Sequence, residues 1–194
     1  MTHLRSGFAA PPRGGRVGRR AVPADGTSPT SAGSVLAAGN ASSPAQPVPR
    51  WPPDAVKHPF ERPLRIRFAH CDPAGIVFFP QYLVMINNLV EDWVGDALGV
   101  PYAELLGKRR TGMPTVSLQC EFTAISRMGD DVMLGLTVER IGGKSVTLQL
   151  GCRCGDEQRM SIRQVLVFTS LDTHRAIDIP GDLRAAIEHF ASEA

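Results

Sequence analysis

The chain has 194 residues, enough for one or two domains with a sizeable core and too few for a large multidomain enzyme. Hydrophobic residues make up 43% and charged residues 21%, values that exclude a collagenous or wholly disordered chain. The net charge of +2 sums two unlike parts: residues 1–57 hold seven Lys or Arg against two Asp (+5), and residues 58–194 hold 14 against 17 acids (−3), so the basic total does not point to a nucleic-acid partner.

Residues 1–57 carry nine of the 16 Pro and seven of the 19 Gly, and almost no large apolar side chains. Such a segment buries too little surface to offset its ordering entropy and reads as a disordered extension ahead of one folded domain, 58–194. Its Arg, Ser and Ala content resembles that of a transit peptide, but its Pro and Gly would break the amphipathic helix such peptides need. A start assigned too far upstream is the favoured reading.

From Arg62 the pattern becomes regular. Leu64, Ile66 and Phe68 alternate with Arg65 and Arg67, the period of a half-buried strand. A turn-rich stretch, His70-Cys71-Asp72-Pro73-Ala74-Gly75, follows. Pro80 then suits the first turn of a helix in which Tyr82, Met85, Ile86, Leu89, Val90, Trp93 and Val94 form the apolar face, ending at Gly99 and Pro101.

The remainder is strand-like. Val116, Leu118, Cys120 and Phe122 alternate with polar residues, as do Val132, Leu134, Leu136 and Val138 in the next run. Gly142-Gly143 and Gly155-Asp156 mark turns into Val146–Leu150 and Ile162–Leu171, and a last short helix starts at Asp182. Strand, long helix, then about four meandering strands predicts an α+β fold with one helix packed on an antiparallel sheet.

No apolar run approaches the roughly 18 residues that span a bilayer, and no membrane partner is expected. Cys71, Cys120, Cys152 and Cys154 are too scattered for a disulfide scaffold and lack the His spacing of a zinc site, so reduced thiols, a cytoplasmic setting and no metal are expected.

The richest segment runs from His70 to Tyr82. It sets Asp72 in a turn between a strand end and a helix start, where unpaired N–H groups and the positive end of the helix dipole polarise a carbonyl oxygen. A carboxylate there serves as nucleophile or as general base toward water. An Asp before Pro is equally a common turn residue, and composition alone favours that plainer reading.

The spelling of the segment changes this balance. Cys71-Asp72-Pro73-Ala74-Gly75-Ile76-Val77-Phe78-Phe79-Pro80-Gln81-Tyr82 resembles the signature of the 4-hydroxybenzoyl-CoA thioesterase family, Asp-x-x-Gly-x-Val-x-aromatic-x-x-Tyr. The resemblance extends through Gly112-x-Pro114-x-Val116-Ser117, Asp130-Asp131-Val132, Lys144-Ser145 and Arg175-Ala176-Ile177-x-Ile179-Pro180, over about residues 62–190. It implies a hotdog fold, in which a curved antiparallel sheet of about five strands wraps one long helix, assembled as a homodimer or homotetramer with pockets between subunits. It also implies hydrolysis of an acyl-CoA thioester, with CoA as part of the substrate and no separate cofactor.

By the same resemblance Asp72 is the catalytic carboxylate, the backbone N–H of Phe79 polarises the thioester carbonyl, and Phe78 and Gly112 line the substrate site. Lys144 and Ser145 match positions that meet the nucleotide of CoA, though a solvated hairpin Lys explains them as well. Gly142-Gly143 replaces a basic pair of the aromatic-acyl prototype, which brings in Arg175 and the Lys108-Arg109-Arg110 cluster. Asn87 stands where that prototype has an acid beside its substrate's phenol; an amide hydrogen-bonds a hydroxyl without charge assistance. His70 is a secondary catalytic candidate, because neighbours at a strand end point to opposite sides. An aromatic acyl group is the first expectation. A short-chain aliphatic acyl-CoA thioesterase and a non-hydrolytic acyl-CoA-binding protein are the alternatives.

Overall fold

The computed structural model describes residues 60–193. The expected disordered extension over 1–57 and its boundary with the folded part lie outside the described residues. Seven strands and three α-helices follow in the order β1 (Phe60–Arg65), α1 (Phe79–Asp92), α2 (Tyr102–Gly107), β2 (Thr111–Gly112), β3 (Thr115–Phe122), β4 (Asp131–Ile141), β5 (Ser145–Cys154), β6 (Glu157–Val167), β7 (Thr169–Ser170) and α3 (Gly181–Glu193). Five strands form one antiparallel sheet in the order β1-β4-β5-β6-β3, and β2 pairs with β7 apart from it.

The apolar alternation sets one face of the sheet inward. Leu134, Leu136, Leu148, Leu150, Cys152, Met160 and Ile162 share one core with Tyr82, Met85, Ile86, Leu89 and Val90 of α1 and with Trp93 just beyond it, all buried. Each fully buried aliphatic side chain in such a layer is worth about 2 kcal/mol. Beside α1, α3 adds Leu183 and Ile187, and the Phe190 ring stands 5.8 Å from that of Trp93. This is the hotdog architecture, a five-stranded antiparallel sheet wrapped on one long helix.

Several local expectations change. The first strand was expected to continue through Phe68, but it stops at Arg65 and Phe68 opens a 3₁₀ turn, Phe68–His70, with its ring 84% exposed. The long helix loosens at its end into a π turn, Trp93–Ala97, where Leu98 N–H donates to the Trp93 carbonyl at 3.1 Å and Gly99 takes a φ of +70° that favours glycine. The run to Leu171 breaks at Phe168, whose N–H turns to the Lys144 carbonyl (2.8 Å) while Val167 N–H donates to the Pro114 carbonyl (3.1 Å). Pro114 has no N–H to continue the ladder, so β7 peels away to pair with β2. Cys71, Cys120, Cys152 and Cys154 are all free, as the scattered spacing predicts.

Candidate active site

Asp72 sits in a tight loop closed by a bridge between Cys71 and Val77. Its N–H donates to the Ile76 carbonyl (3.0 Å), its carbonyl accepts from Gly75 N–H (2.9 Å), and its Oδ1 accepts from Ala74 N–H (2.8 Å). The side chain thus braces its own turn through one oxygen. Gly75 takes φ +74°, the left-handed conformation that lets the chain reverse here. Phe78 N–H donates to the His70 carbonyl at 3.0 Å, which delivers the chain to the first residue of α1, Phe79.

At that helix start Pro80 has no N–H, and among the described residues the N–H of Phe79 has no backbone acceptor. It is one of the orphan donors that a helix presents at its positive end. The rings of Phe78 and Phe79 stand 5.6 Å apart, and Phe122 of β3 lies 6.4 Å from Phe79 and 5.7 Å from Tyr82. Phe78, Phe79, Phe122, Ile125 and Met128 are exposed, giving the loop an apolar collar. Phe79, Leu83 and Asn87, four residues apart in turn, form one stripe of α1, and all three are exposed. Periodicity marks Phe122 only as an alternating strand residue; its place beside Phe79 depends on which strand the helix start crosses, which periodicity does not encode.

His70 faces elsewhere. Its Nδ1 accepts from Arg67 N–H at 3.0 Å, and its ring borders a cleft of about 490 Å³ between α1 and β1, lined also by Leu64, Gln81, Val84, Met85 and Asn88. Those helix residues occupy the flank toward β1, whereas Phe79 packs toward β3 at the other edge of the sheet.

The remaining expected residues gather at the far end. Lys144 and Ser145 open β5; the Lys144 carbonyl accepts from Phe168 N–H, and its Nζ lies 3.5 Å from the Ala176 carbonyl. Gly112 pairs with Thr169, and the Arg175 carbonyl accepts from Ser170 N–H at 3.0 Å. Gly112 is buried, and a Cβ there would meet Leu171 Cδ2 at 2.9 Å, so a larger residue would require the Leu171 side chain to move. Among the described residues neither Lys144 nor Arg175 pairs with a carboxylate, whereas Arg109 is engaged by Asp182 and Glu104 and Arg110 by Asp172. From Ser145 to Cys152, level with Tyr82, is seven residues of strand, about 23 Å. A single chain therefore holds Asp72, Phe78 and Phe79 near one end and Lys144, Ser145, Gly112 and Arg175 at the other, with Asn87 about 12 Å along α1 from Phe79.

Two thiols are poor nucleophiles. Burial pushes Cys152 up to about 12 and Cys120 to about 11. Among the described residues no group of three or more His, Cys, Asp or Glu side chains converges to hold a metal ion. No helix among them is long and apolar enough to cross a membrane.

The acid-bearing turn, the free N–H at the start of the central helix and the sheet around it define a protein class. The chain belongs to the thioesterase-like superfamily, whose family model matches residues 66–187. Among solved structures it is similar to the gentisyl-coenzyme A thioesterase BH1999, at 25% identity over 66% of this chain and 98% of that one, with a TM-score of 0.60. The 1,4-dihydroxy-2-naphthoyl-CoA thioesterase Slr0204 from Synechocystis shares the fold at 19% identity (67% and 96% covered, TM-score 0.62). So does the Staphylococcus aureus protein SAV2348 in complex with CoA, at 14% identity (71% and 86% covered, TM-score 0.65). No curated protein matches the chain.

Proposed function

We propose that this protein hydrolyses an aromatic acyl-CoA thioester, of the benzoyl or hydroxybenzoyl type, to the free acid and CoA, as a member of the 4-hydroxybenzoyl-CoA thioesterase family. The observation that carries the reading is a turn bearing one carboxylate, Asp72, that leads seven residues on to the start of α1 at Phe79, whose N–H has no backbone acceptor among the described residues. With the thioester carbonyl on the Phe79 N–H, charge building on its oxygen meets an oriented donor in an apolar collar. Asp72 then either attacks the carbonyl carbon, expelling CoA thiolate and leaving an anhydride that water cleaves, or takes a proton from the water that attacks directly. Both routes consume one water, release the same acid and thiol, and need the same residue. His70, held by Arg67 on the β1 side, is left outside this pair.

The acyl preference rests on Phe78, Phe79 and Phe122, whose ring edges and faces suit an aromatic group. Asn87, on the Phe79 stripe, supplies an amide for a ring hydroxyl. Similarity to a gentisyl-CoA thioesterase supports the same class of substrate.

The nucleotide end of CoA is assigned to Lys144, Ser145 and Arg175, cations and a hydroxyl that suit phosphates. Because these lie at the other end of the sheet, the working unit is a dimer. Self-pairing of the exposed edge strand β3 about a two-fold axis is antiparallel and brings the Phe122 end of one copy to the Thr115 end of the other. In this arrangement the Lys144 end of the partner's sheet faces the Asp72 end of this chain. Deletion of residues 1–57 is expected to leave activity and assembly intact.

Thiol release measured across benzoyl-, hydroxybenzoyl-, phenylacetyl- and short aliphatic CoA esters tests the reaction and the acyl group together. Fastest turnover of a benzoyl-type ester is expected. Preference for an aliphatic ester overturns the acyl assignment, and binding without thiol release overturns the hydrolase.

A further inference from the structure

The 71–78 loop is closed mainly by bonds within itself, so its place depends on what holds it from outside. Those holds run to the β3–β4 connection, residues 123–130: Val77 N–H donates to the Ser126 carbonyl (2.9 Å), and Met128 N–H donates to the Gly75 carbonyl (3.2 Å). The connection is fixed in turn at its far end, where Asp130 caps Arg127 N–H (2.8 Å) and Ile66 exchanges backbone bonds with Asp130 and Gly129 (2.8 Å each).

Its middle is held by two side chains from the core. Arg159 of β6 donates to the Ile125 carbonyl, and the Tyr82 hydroxyl donates to Ser126 Oγ at 2.7 Å. Tyr82 is 3% exposed and Ser126 1%, so their bond is out of water. Every other buried α1 side chain, Met85, Ile86, Leu89 and Val90, is apolar; a hydroxyl there costs desolvation unless bonded, and this one is bonded to the connection that carries the Asp72 loop.

We propose that Tyr82 and Ser126 are positioning residues, whose hydrogen bond locks the Asp72 loop in register with the start of α1. The inference deepens the reading of Asp72 and Phe79 N–H as reacting partners and rests on it. Tyr82 stands in the first turn of α1, three residues after Phe79, while Ser126 holds Val77 through its carbonyl. One bond therefore ties the element bearing the N–H donor to the element bearing the acid. A shift of about 1 Å between such groups costs on the order of 10²-fold in rate.

Tyr82→Phe keeps the ring beside Phe122 and removes only the hydroxyl, and Ser126→Ala removes its partner. Amide hydrogen exchange at Val77 and Met128 is read with kcat and KM for benzoyl-CoA thiol release. Losing one buried hydrogen bond is expected to speed exchange at those two amides about tenfold, with β4–β6 unchanged. The same variants are expected to lower kcat about tenfold with KM within about twofold, and the double variant to be no worse than the worse single one, since both remove the same bond. Unchanged exchange at Val77 and Met128 overturns the proposal, as does faster exchange with full kcat, or a loss carried by KM alone. If wild-type protein releases no thiol from any ester, the proposed reaction fails by itself, and the exchange result still decides the anchor.

Discussion

The two edges of the sheet carry similar apolar alternation and opposite designs. β1, Phe-Glu-Arg-Pro-Leu-Arg, is a blocked edge: Pro63 offers no N–H, Arg62 bridges to Asp92 and Asp96, Arg65 pairs with Asp131 at 2.7 Å, and Glu61 meets Arg153 at 3.4 Å. β3, Thr-Val-Ser-Leu-Gln-Cys-Glu-Phe, has no Pro, no Lys or Arg, and leaves Val116 60% and Leu118 41% exposed. Guarding one edge with charge and proline and leaving the other bare and apolar is the pattern expected if the bare edge pairs with a second copy, as proposed. The difference also explains why the candidate site looks incomplete in one chain, with its acid and its cations at opposite ends.

Ways to break that contrast follow in order of effect. Asp72→Asn keeps the turn-bracing oxygen and removes the charge, and kcat for the best ester is expected to fall about 10³-fold with binding retained. Val116→Lys with Leu118→Lys places like charges across a β3–β3 pairing; size-exclusion is expected to show monomers and turnover about 10²-fold down. The matched change on the blocked edge, Arg65→Ala, removes only an exposed ion pair and is expected to leave assembly and thermal midpoint essentially unchanged. Lys144→Ala is expected to raise KM about tenfold with kcat held, the loss of one charge-assisted contact to a phosphate. Smallest of all is the effect of iodoacetamide at pH 7.5. With burial holding Cys120 near 11 and Cys152 near 12, both remain protonated thiols far below those values, and mass spectrometry of the folded protein is expected to find them unmodified.

The sequence discloses the parts of this fold that repeat and conceals those that depend on neighbours. The apolar stripe from Tyr82 to Val94 specifies a helix because each residue meets the same core, and Gly155-Asp156 marks its hairpin by local backbone preference, with Gly155 at a φ of +57°. Phe68 follows the strand period yet leaves the strand, because the chain must turn there to set Asp72 before α1. Alternation in β3 predicts a half-buried strand but not that the strand is a sheet edge whose Val116 and Leu118 stay exposed. Asp72 and Phe79 are legible through a continuous motif. The Tyr82–Ser126 bond joins residues 44 apart and the Phe79–Phe122 contact joins two separate runs, so no local pattern announces either.

The central claim is that one site is built from the Asp72 end of one copy and the Lys144 end of another, and mixing two crippled chains tests it most directly. Asp72→Asn protein and a Lys144→Glu, Arg175→Glu variant, each assayed alone at limiting benzoyl-CoA, are dissociated, mixed in equal amounts and reassembled. A dimer that shares its sites gives mixed pairs in which one site is intact, and activity is expected to recover to about a quarter of wild type. Activity no greater than the mean of the two parents contradicts the shared site.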